Sequence, residues 1–343
     1  MAEALQLNDT NFSGTFANFM ITRATLDMDT VEKGNIYVID GIKKSHSIPR
    51  LDVSGFVQAR NATPLSAGSI IVDRTVLTPQ DYMVYLEFNP RDYEQHWFSY
   101  QLQRNLLEET LPETAESYTV YQTLRRLGEW NERALWRSRM VYNPSNPNYI
   151  TAASVNAPST DQQYQYFDGL IVKLLADPTT LQVSNPVTIT PTYSTTNGFY
   201  PFEQCLSLMA TNNPALLFKY GADGLKFHVS ANTQLAYESF LTFQMVYKNN
   251  DATERSINRY RGYDVTVCKG MPDNTVLLCI SRPDIDSNLF LGLNSTDDES
   301  NVQLQRVQNN SEMFFIKILM KADATQGYGD QAVLYTTLLI SNL

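Results

Sequence analysis

Nucleophilic catalysis needs a nucleophile beside a base, and histidine is the usual base. The chain has three histidines. His46 falls in a strand-like hairpin, His96 beside Trp97 in a helical stretch, and His228 inside the strand LKFHVS (225–230), the setting of a packed or surface histidine. Three cysteines, Cys205, Cys268 and Cys279, are an odd number and far apart. Cys268 and Cys279 sit in apolar, strand-like stretches, where a free thiol behaves as a small hydrophobe. Buried thiols in a reducing, cytoplasmic setting are therefore expected. The best metal candidate is DIDSN (284–288), but Leu289 stands where a calcium loop needs Gly, and Ser295 where it needs a bidentate Glu. Asp81, Glu87 and Glu94 carry no specific signal in an acidic chain, and DDE (297–299) reads as a solvated turn. No G-x-S-x-G elbow, H-E-x-x-H, Walker A or G-x-G-x-x-G occurs. No catalytic, cofactor-binding or metal-ligating residue is assigned, and no cofactor is implied. The reading is not an enzyme.

Composition narrows the class further. At 343 residues the chain buries a sizeable core in one large domain or two to three smaller ones. A formal net charge of −10 argues against unaided wrapping of nucleic acid, which asks for a basic face. The N-terminus shows no basic region followed by an apolar run, so no secretory signal is expected. The most apolar window, MFFIKILM (313–320), is far short of the roughly 20 residues a bilayer needs. The five N-x-[ST] sequons, at Asn8, Asn11, Asn61, Asn294 and Asn309, are read as chance matches.

The elements are legible from periodicity. Residues 1–48 read as an extended arm containing the strand IYVI (36–39). Residues 45–88 read as two strands around a long Gly/Ala/Ser-rich tip, GFVQARNATPLSAGS (55–69). Loops of that length are uncommon in compact domains and are usually functional or wrapped on a neighbour. A strand at 82–90 leads into a helix at 91–107. Thr110 and Glu113 form a capping box for a second, longer helix. Val120, Leu124, Leu127, Trp130 and Ala134 make one apolar stripe along it, with Glu129 and Arg133 pairing outside. From Leu111 to Arg139 it would measure about 40 Å, until NPSNPN stops it. Arg133, Arg137 and Arg139 complement its C-terminal dipole, and Trp136, off the stripe, is core or a subunit contact. Beyond a polar linker (143–163) come helices within 199–220 and at 231–247, and strands at 225–230, 263–270 and 275–282. A tail of consecutive antiparallel strands ends an α+β chain.

Eight stretches, in colinear order over residues 45–337, carry a resemblance: IPRLDVSG (48–55), VLTPQDYMVYLEFNPRDYEQHWF (76–98), NERALW (131–136), FDGL (167–170), LKFHVS (225–230), YRGYDVTVCKGMPDN (260–274), DSNLFLG (286–292) and KADATQGYGDQAVLY (321–335). Together they resemble the major capsid proteins of tailed bacteriophages, especially those of phages of Bacteroidota hosts.

The resemblance implies the Hong Kong phage-type capsid fold. Residues 1–44 would be the N-terminal arm, 45–85 the E-loop hairpin, and 86–164 the peripheral domain with a spine helix at 111–139. Residues 165–285 would be mainly axial domain, and 286–343 strands returning to the peripheral domain. It implies hexamers and pentamers of an icosahedral virion shell, assembled in the host cytoplasm around double-stranded DNA, with no membrane. Decoration, portal and scaffolding proteins are possible partners. Phe56, Gln58, Arg60 and Asn61 at the E-loop tip would touch a neighbouring subunit, and Trp130, Arg133 and Trp136 belong to the spine helix. Lys43, Lys44, Arg50, Arg60 and Arg74 outnumber Asp52, Asp73 and Asp81, so the hairpin would dock on an acidic neighbour. Some relatives weld their shells through an E-loop lysine, but none lies between Lys44 and Lys173 here, so non-covalent shells are expected. Only about 45 residues precede the E-loop, so scaffolding would be separate or absent. The alternatives are an encapsulin-type compartment of the same fold and a soluble hydrolase with a carboxylate pair.

Overall fold

A computed structural model describes residues 10–12, 28–54, 57–60, 62, 68–89, 115–139, 166–189, 198–219, 224–248, 259–294, 302–308 and 313–337. The first half holds β1 (Thr10–Phe12), the single turn α1 (Asp29–Glu32), β2 (Tyr37–Ile39), β3 (His46–Ser54), β4 (Ser69–Leu77) and β5 (Gln80–Phe88). The long helix α2 (Ala115–Arg137) and the short α3 (Leu170–Ala176) follow. Next come β6 (Leu181–Gln182), α4 (Tyr200–Asn212), β7 (Leu225–Val229), α5 (Ala231–Lys248), β8 (Arg259–Tyr260), β9 (Tyr263–Val267) and β10 (Thr275–Ile280). The chain closes with β11 (Leu289–Leu293), β12 (Val302–Arg306), β13 (Phe314–Gln326) and β14 (Val333–Thr336).

The first sheet is organised by β13. β5 runs along one edge of it, from Phe88 opposite Phe314 to Gln80 opposite Ala322. β12 and β11 lie end to end along the other edge, opposite residues 314–318 and 322–326. Because side chains alternate, Phe314, Ile316, Ile318 and Met320 face inward and are buried against Leu124, Leu127 and Ala134 of α2. The second sheet has the order β6-β14-β10-β7-β9-β8. β7, α5 and β9 form a βαβ unit, with β7 and β9 parallel. β10, TVLLCI, is buried along its whole length, as befits a central strand.

The turn after β9 leads to β10, and β7 lies between the two strands in the sheet. Several expectations change. β14 does not return to the first sheet; it pairs with β10 in the second. The hairpin is paired only to Leu77, and residues 80–85 belong to β5 in the first sheet. The helix stops at Arg137, two residues before Arg139. Glu129 pairs with Arg126 at 3.0 Å rather than with Arg133. Residues 91–107, the Thr110–Glu113 cap, the 143–163 linker and 297–299 lie outside the described residues.

The two sheets meet in a buried cluster around the C-terminal end of α2. Leu135 and Trp136 pack there with Leu170, Ile171 and Leu174 of α3, Leu277 and Cys279 of β10, and Leu289 and Leu291 of β11. Trp136 is therefore core. Two glycines allow the close approach. A Cβ on Gly169 would stand 2.8 Å from the Trp136 carbonyl carbon, and one on Gly270 would overlap the Glu132 carbonyl. Both obstacles are backbone and do not swing aside. Gly270→Ala is therefore expected to destabilise the fold by about 2 kcal/mol or more through overpacking, read as a lower denaturant midpoint with unchanged slope.

Candidate functional site

The stretches that carry the family resemblance meet at two places. The first is the buried junction at the end of α2, where NERALW meets the arm and the turn after β9. The Glu132 carboxylate accepts the Thr30 amide (3.0 Å), the Thr30 hydroxyl (2.6 Å) and the Trp136 indole N–H (3.1 Å). Beside it, Cys268 Sγ lies 3.6 Å from His228 Nδ1, and the His228 ring lies 5.9 Å from Trp136. Asp29 ties this turn outward, to Lys33 at 2.8 Å and Lys269 at 3.5 Å.

The second place is the root of the β3–β4 hairpin, where IPRLDVSG, DSNLFLG and KADATQGYGD converge. Asp323 accepts the Thr78 amide (2.8 Å) and pairs with Lys173 (2.6 Å). The Leu51 amide donates to the Tyr328 hydroxyl (3.2 Å), and the Arg50 guanidinium lies 4.8 Å above the Tyr328 ring. Thr75 Oγ1 donates to the Gly327 carbonyl (3.2 Å), and Asn288 Nδ2 to the Tyr328 carbonyl (2.9 Å). DIDSN is therefore structural at its end: Ser287 and Asn288 are buried, bonded to backbone and not arranged as an ion loop.

Register separates the hairpin's two faces. Residues directly opposite share a face, so Ile48, Arg50, Asp73, Thr75 and Leu77 lie on one and Pro49, Leu51, Ile70, Val72, Arg74 and Val76 on the other. The first face rests on the body at its root through buried Leu77 and half-buried Ile48 and Thr75, while Ile71 further out on it is 56% exposed. The second is free. On it Leu51 is 58%, Ile70 70% and Val72 72% exposed.

No protein-family model matches the chain, and no curated protein sequence does. Among solved structures, a chain of the satellite phage P4 procapsid, solved with its size determination protein, aligns over 92% of this chain and 97% of its own. It does so at TM-score 0.52 and 10% identity. The chain has the Hong Kong phage-type capsid fold. A virus-like particle from Pyrococcus furiosus (94% and 98% covered, 10% identity, TM-score 0.46) was also matched. So was an encapsulin complex from Synechococcus elongatus (90% and 86%, 10%, 0.47).

Within this capsid fold the sequence-derived candidates fall apart into separate places. Gln58 and Arg60 are exposed in the tip; Phe56 and Asn61 lie outside the described residues. Trp130 is half-buried with its ring 5.3 Å from Tyr82, whose hydroxyl donates to Asn131 (3.1 Å). Arg133 is exposed and Trp136 buried. His46 is exposed on β3, and His96 is outside the described residues. All three thiols are free and buried, and burial pushes each one's pKa up, away from the reactive thiolate. Cys268 and His228 are thus a packed pair: burial also pushes the His228 pKa down to about 3. No group of metal-ligating side chains occurs among the described residues, and no described helix is long and apolar enough to cross a membrane. Sequence reasoning missed Thr30, Glu132 and Asp323. Nothing local announces a buried carboxylate whose Thr30 partner is 102 residues away. The hairpin strands did leave a signal, the β-branched apolar run Ile70, Ile71 and Val72, which does not by itself say which face stays uncovered.

Two predictions follow from the junction. Burial raises the Glu132 pKa, against the Thr30 hydrogen bonds that lower it, so the folded state would gain from neutralising this carboxyl. Glu132→Gln keeps an acceptor and is expected to leave stability at pH 7 within about 1 kcal/mol. Glu132→Leu strands three donors and costs about 3 kcal/mol or more, both read by chemical denaturation. His228 runs the other way. Its folded pKa lies below the unfolded value of about 6.5, so the unfolded chain binds the extra proton and stability falls as pH drops from about 6.5 towards 3. Replacing His228 with Phe should flatten that part of the stability–pH curve, whatever it does to stability at pH 7.

Proposed function

We propose that this chain is a structural capsid protein whose copies form the hexamers and pentamers of an icosahedral virion shell around double-stranded DNA. The β3–β4 hairpin is its E-loop and α2 its spine helix. The observation that carries this reading is the hairpin's free face. An isolated two-stranded ribbon is marginal in water, and a contiguous exposed apolar face marks association. Here the ribbon is nine residues long in each strand and exposes Leu51, Ile70, Val72 and Val76 on one side. A fold shared with a procapsid protein agrees with it.

The rest of the molecule is consistent with a container. A net charge of −10 suits a wall that does not grip its phosphate-rich contents. The first sheet with α2 forms the peripheral domain, and the second sheet, β14 included, the axial domain. Phe56, Gln58, Arg60 and Asn61 touch the adjacent copy at the tip. Portal, decoration and scaffolding proteins are candidates for further partners, with assembly in the host cytoplasm.

The test is to express the chain alone and with scaffolding candidates, then to sediment the product and image it in negative stain. Closed shells, tubes or capsomer rings are the expected result; a homogeneous monomer in every combination overturns the reading. No lysine lies between Lys44 and Lys173, so the hairpin cannot supply the amine of an isopeptide bond. Particles boiled in detergent should run as a single monomer band, not a ladder.

A further inference from the structure

The outer face of α2 carries a row of arginines. Leu124, Leu127 and Ala134 turn one side of the helix into the first sheet's core, and residues at helical spacing from Arg126 lie on the other. Arg125, Arg126, Glu129 and Arg133 are exposed there, and half-buried Arg137 continues the row. Four cations share this face with one carboxylate, Glu129, which Arg126 binds at 3.0 Å. Neither Arg125 nor Arg133 has a carboxylate partner among the described residues. Several cations elsewhere are tied down: Arg259 to Asp264 at 2.8 Å, Lys321 to Asp81 at 3.2 Å, and Lys33 and Lys269 to Asp29. The helix dipole does not account for the row. It acts within the last turn, and Arg125 and Arg126 stand about three turns before the end at Arg137.

We infer that this face, through Arg125, Arg126 and Arg133, holds phosphates of the double-stranded DNA inside the shell. That a duplex is there rests on the assembly reading above; which face touches it is new. Three observations favour a nucleic acid over an acidic protein segment. The row is straight: Arg125 to Arg133 spans about 12 Å of helix, along which one strand of a duplex presents three or four phosphates. Guanidinium groups suit them, because the planar fork meets phosphate oxygens two at a time. The face also exposes no large apolar side chain between 122 and 137 against which a peptide could bury its own. Finally, a chain of net charge −10 repels DNA as a whole, so contact is confined to a local excess of cations within the Debye length of about 8 Å. A few phosphate contacts per chain make a light, salt-labile hold, repeated over many copies, and not a wrap. The arginines lie at helical spacing, so no basic run shows in the sequence.

Fluorescence anisotropy of a short labelled DNA duplex with the purified full chain tests this. Three phosphate contacts predict binding that weakens about 40-fold between roughly 50 and 200 mM salt. Arg125→Gln, Arg126→Gln and Arg133→Gln together should lower the low-salt affinity by about tenfold or more and flatten that dependence. The denaturant midpoint should stay that of the parent, since all three side chains are exposed. Lys43→Gln, Lys44→Gln and Arg74→Gln remove the same charge from exposed positions in and beside the hairpin, and should leave duplex binding unchanged. Equal losses from the two triple variants would mean that net charge alone decides, and overturn the inference. So does a parent chain that leaves the duplex unbound. A polyglutamate peptide that binds as tightly as the duplex, and is lost with the same α2 substitutions, identifies an acidic protein segment and also overturns it. None of these outcomes needs particles. Duplex binding through α2 by a chain that never forms particles overturns the assembly reading, and with it the shell as the source of the DNA, but not the face.

Discussion

Among the described residues the two sheets share no strand, so their relative placement depends on what is packed between them. The end of α2 fills that place. Trp136, Leu135 and the side chains of α3, β10 and β11 around them are almost completely removed from water, and each large apolar group so buried contributes about 1.5–3 kcal/mol, an upper bound. Into this dry cluster the chain sets one carboxylate, Glu132. Among the described residues no cation pairs with it; the Thr30 amide, the Thr30 hydroxyl and the Trp136 indole donate to it. Hydrogen bonds to a charged group are worth about 1.5–3 kcal/mol each, of the order needed to offset its desolvation. Two of these donors come from Thr30, so the carboxylate also determines where the arm crosses the helix. The glycines at 169 and 270 complete the constraint by letting two loops touch the backbone of the helix end.

The hairpin obeys the opposite rule. Its root is over-determined: Asp323 binds the β4–β5 link and α3's Lys173, while Tyr328 supports both Arg50 and the Leu51 amide. Burial raises the Asp323 pKa, and the adjacent Lys173 opposes that rise. Beyond the root no second layer covers the ribbon among the described residues. A rigid base under an uncovered apolar face aims the face rather than letting it fold back. Edge and ribbon surfaces of this kind are an aggregation hazard in a monomer, a hazard that covering by another surface of fixed shape would relieve.

How much of this was legible in the sequence depends on how far apart the interacting residues lie. The helix stripe Leu124, Leu127, Trp130, Ala134 and the hairpin strands are local patterns with periods of 3.6 and 2, and the structure has them. The burial of the three cysteines could be read from their apolar neighbours. The strand order could not. β7 inserts between β9 and β10, and β14 leaves the first sheet for the second, because pairing partners are chosen by packing across the whole chain and not by local propensity. Trp136 stood off the helical stripe for a related reason. The last turns of α2 are buried on more than one side, with Asn131, Glu132, Leu135 and Trp136 all enclosed, and a single-stripe reading assumes one buried side. The Glu129–Arg126 pair shows that two spacings were open and only the rotamers decide between them.

Net charge constrains what kind of contact the copies can use. At −10 per chain, neighbouring copies repel over any distance that salt does not screen, and the Debye length is about 8 Å at physiological ionic strength. Long-range attraction would therefore not bring such copies together, and any association between them would draw on short-range apolar burial. The exposed Leu51, Ile70, Val72 and Val76 of the hairpin are an apolar surface of that kind.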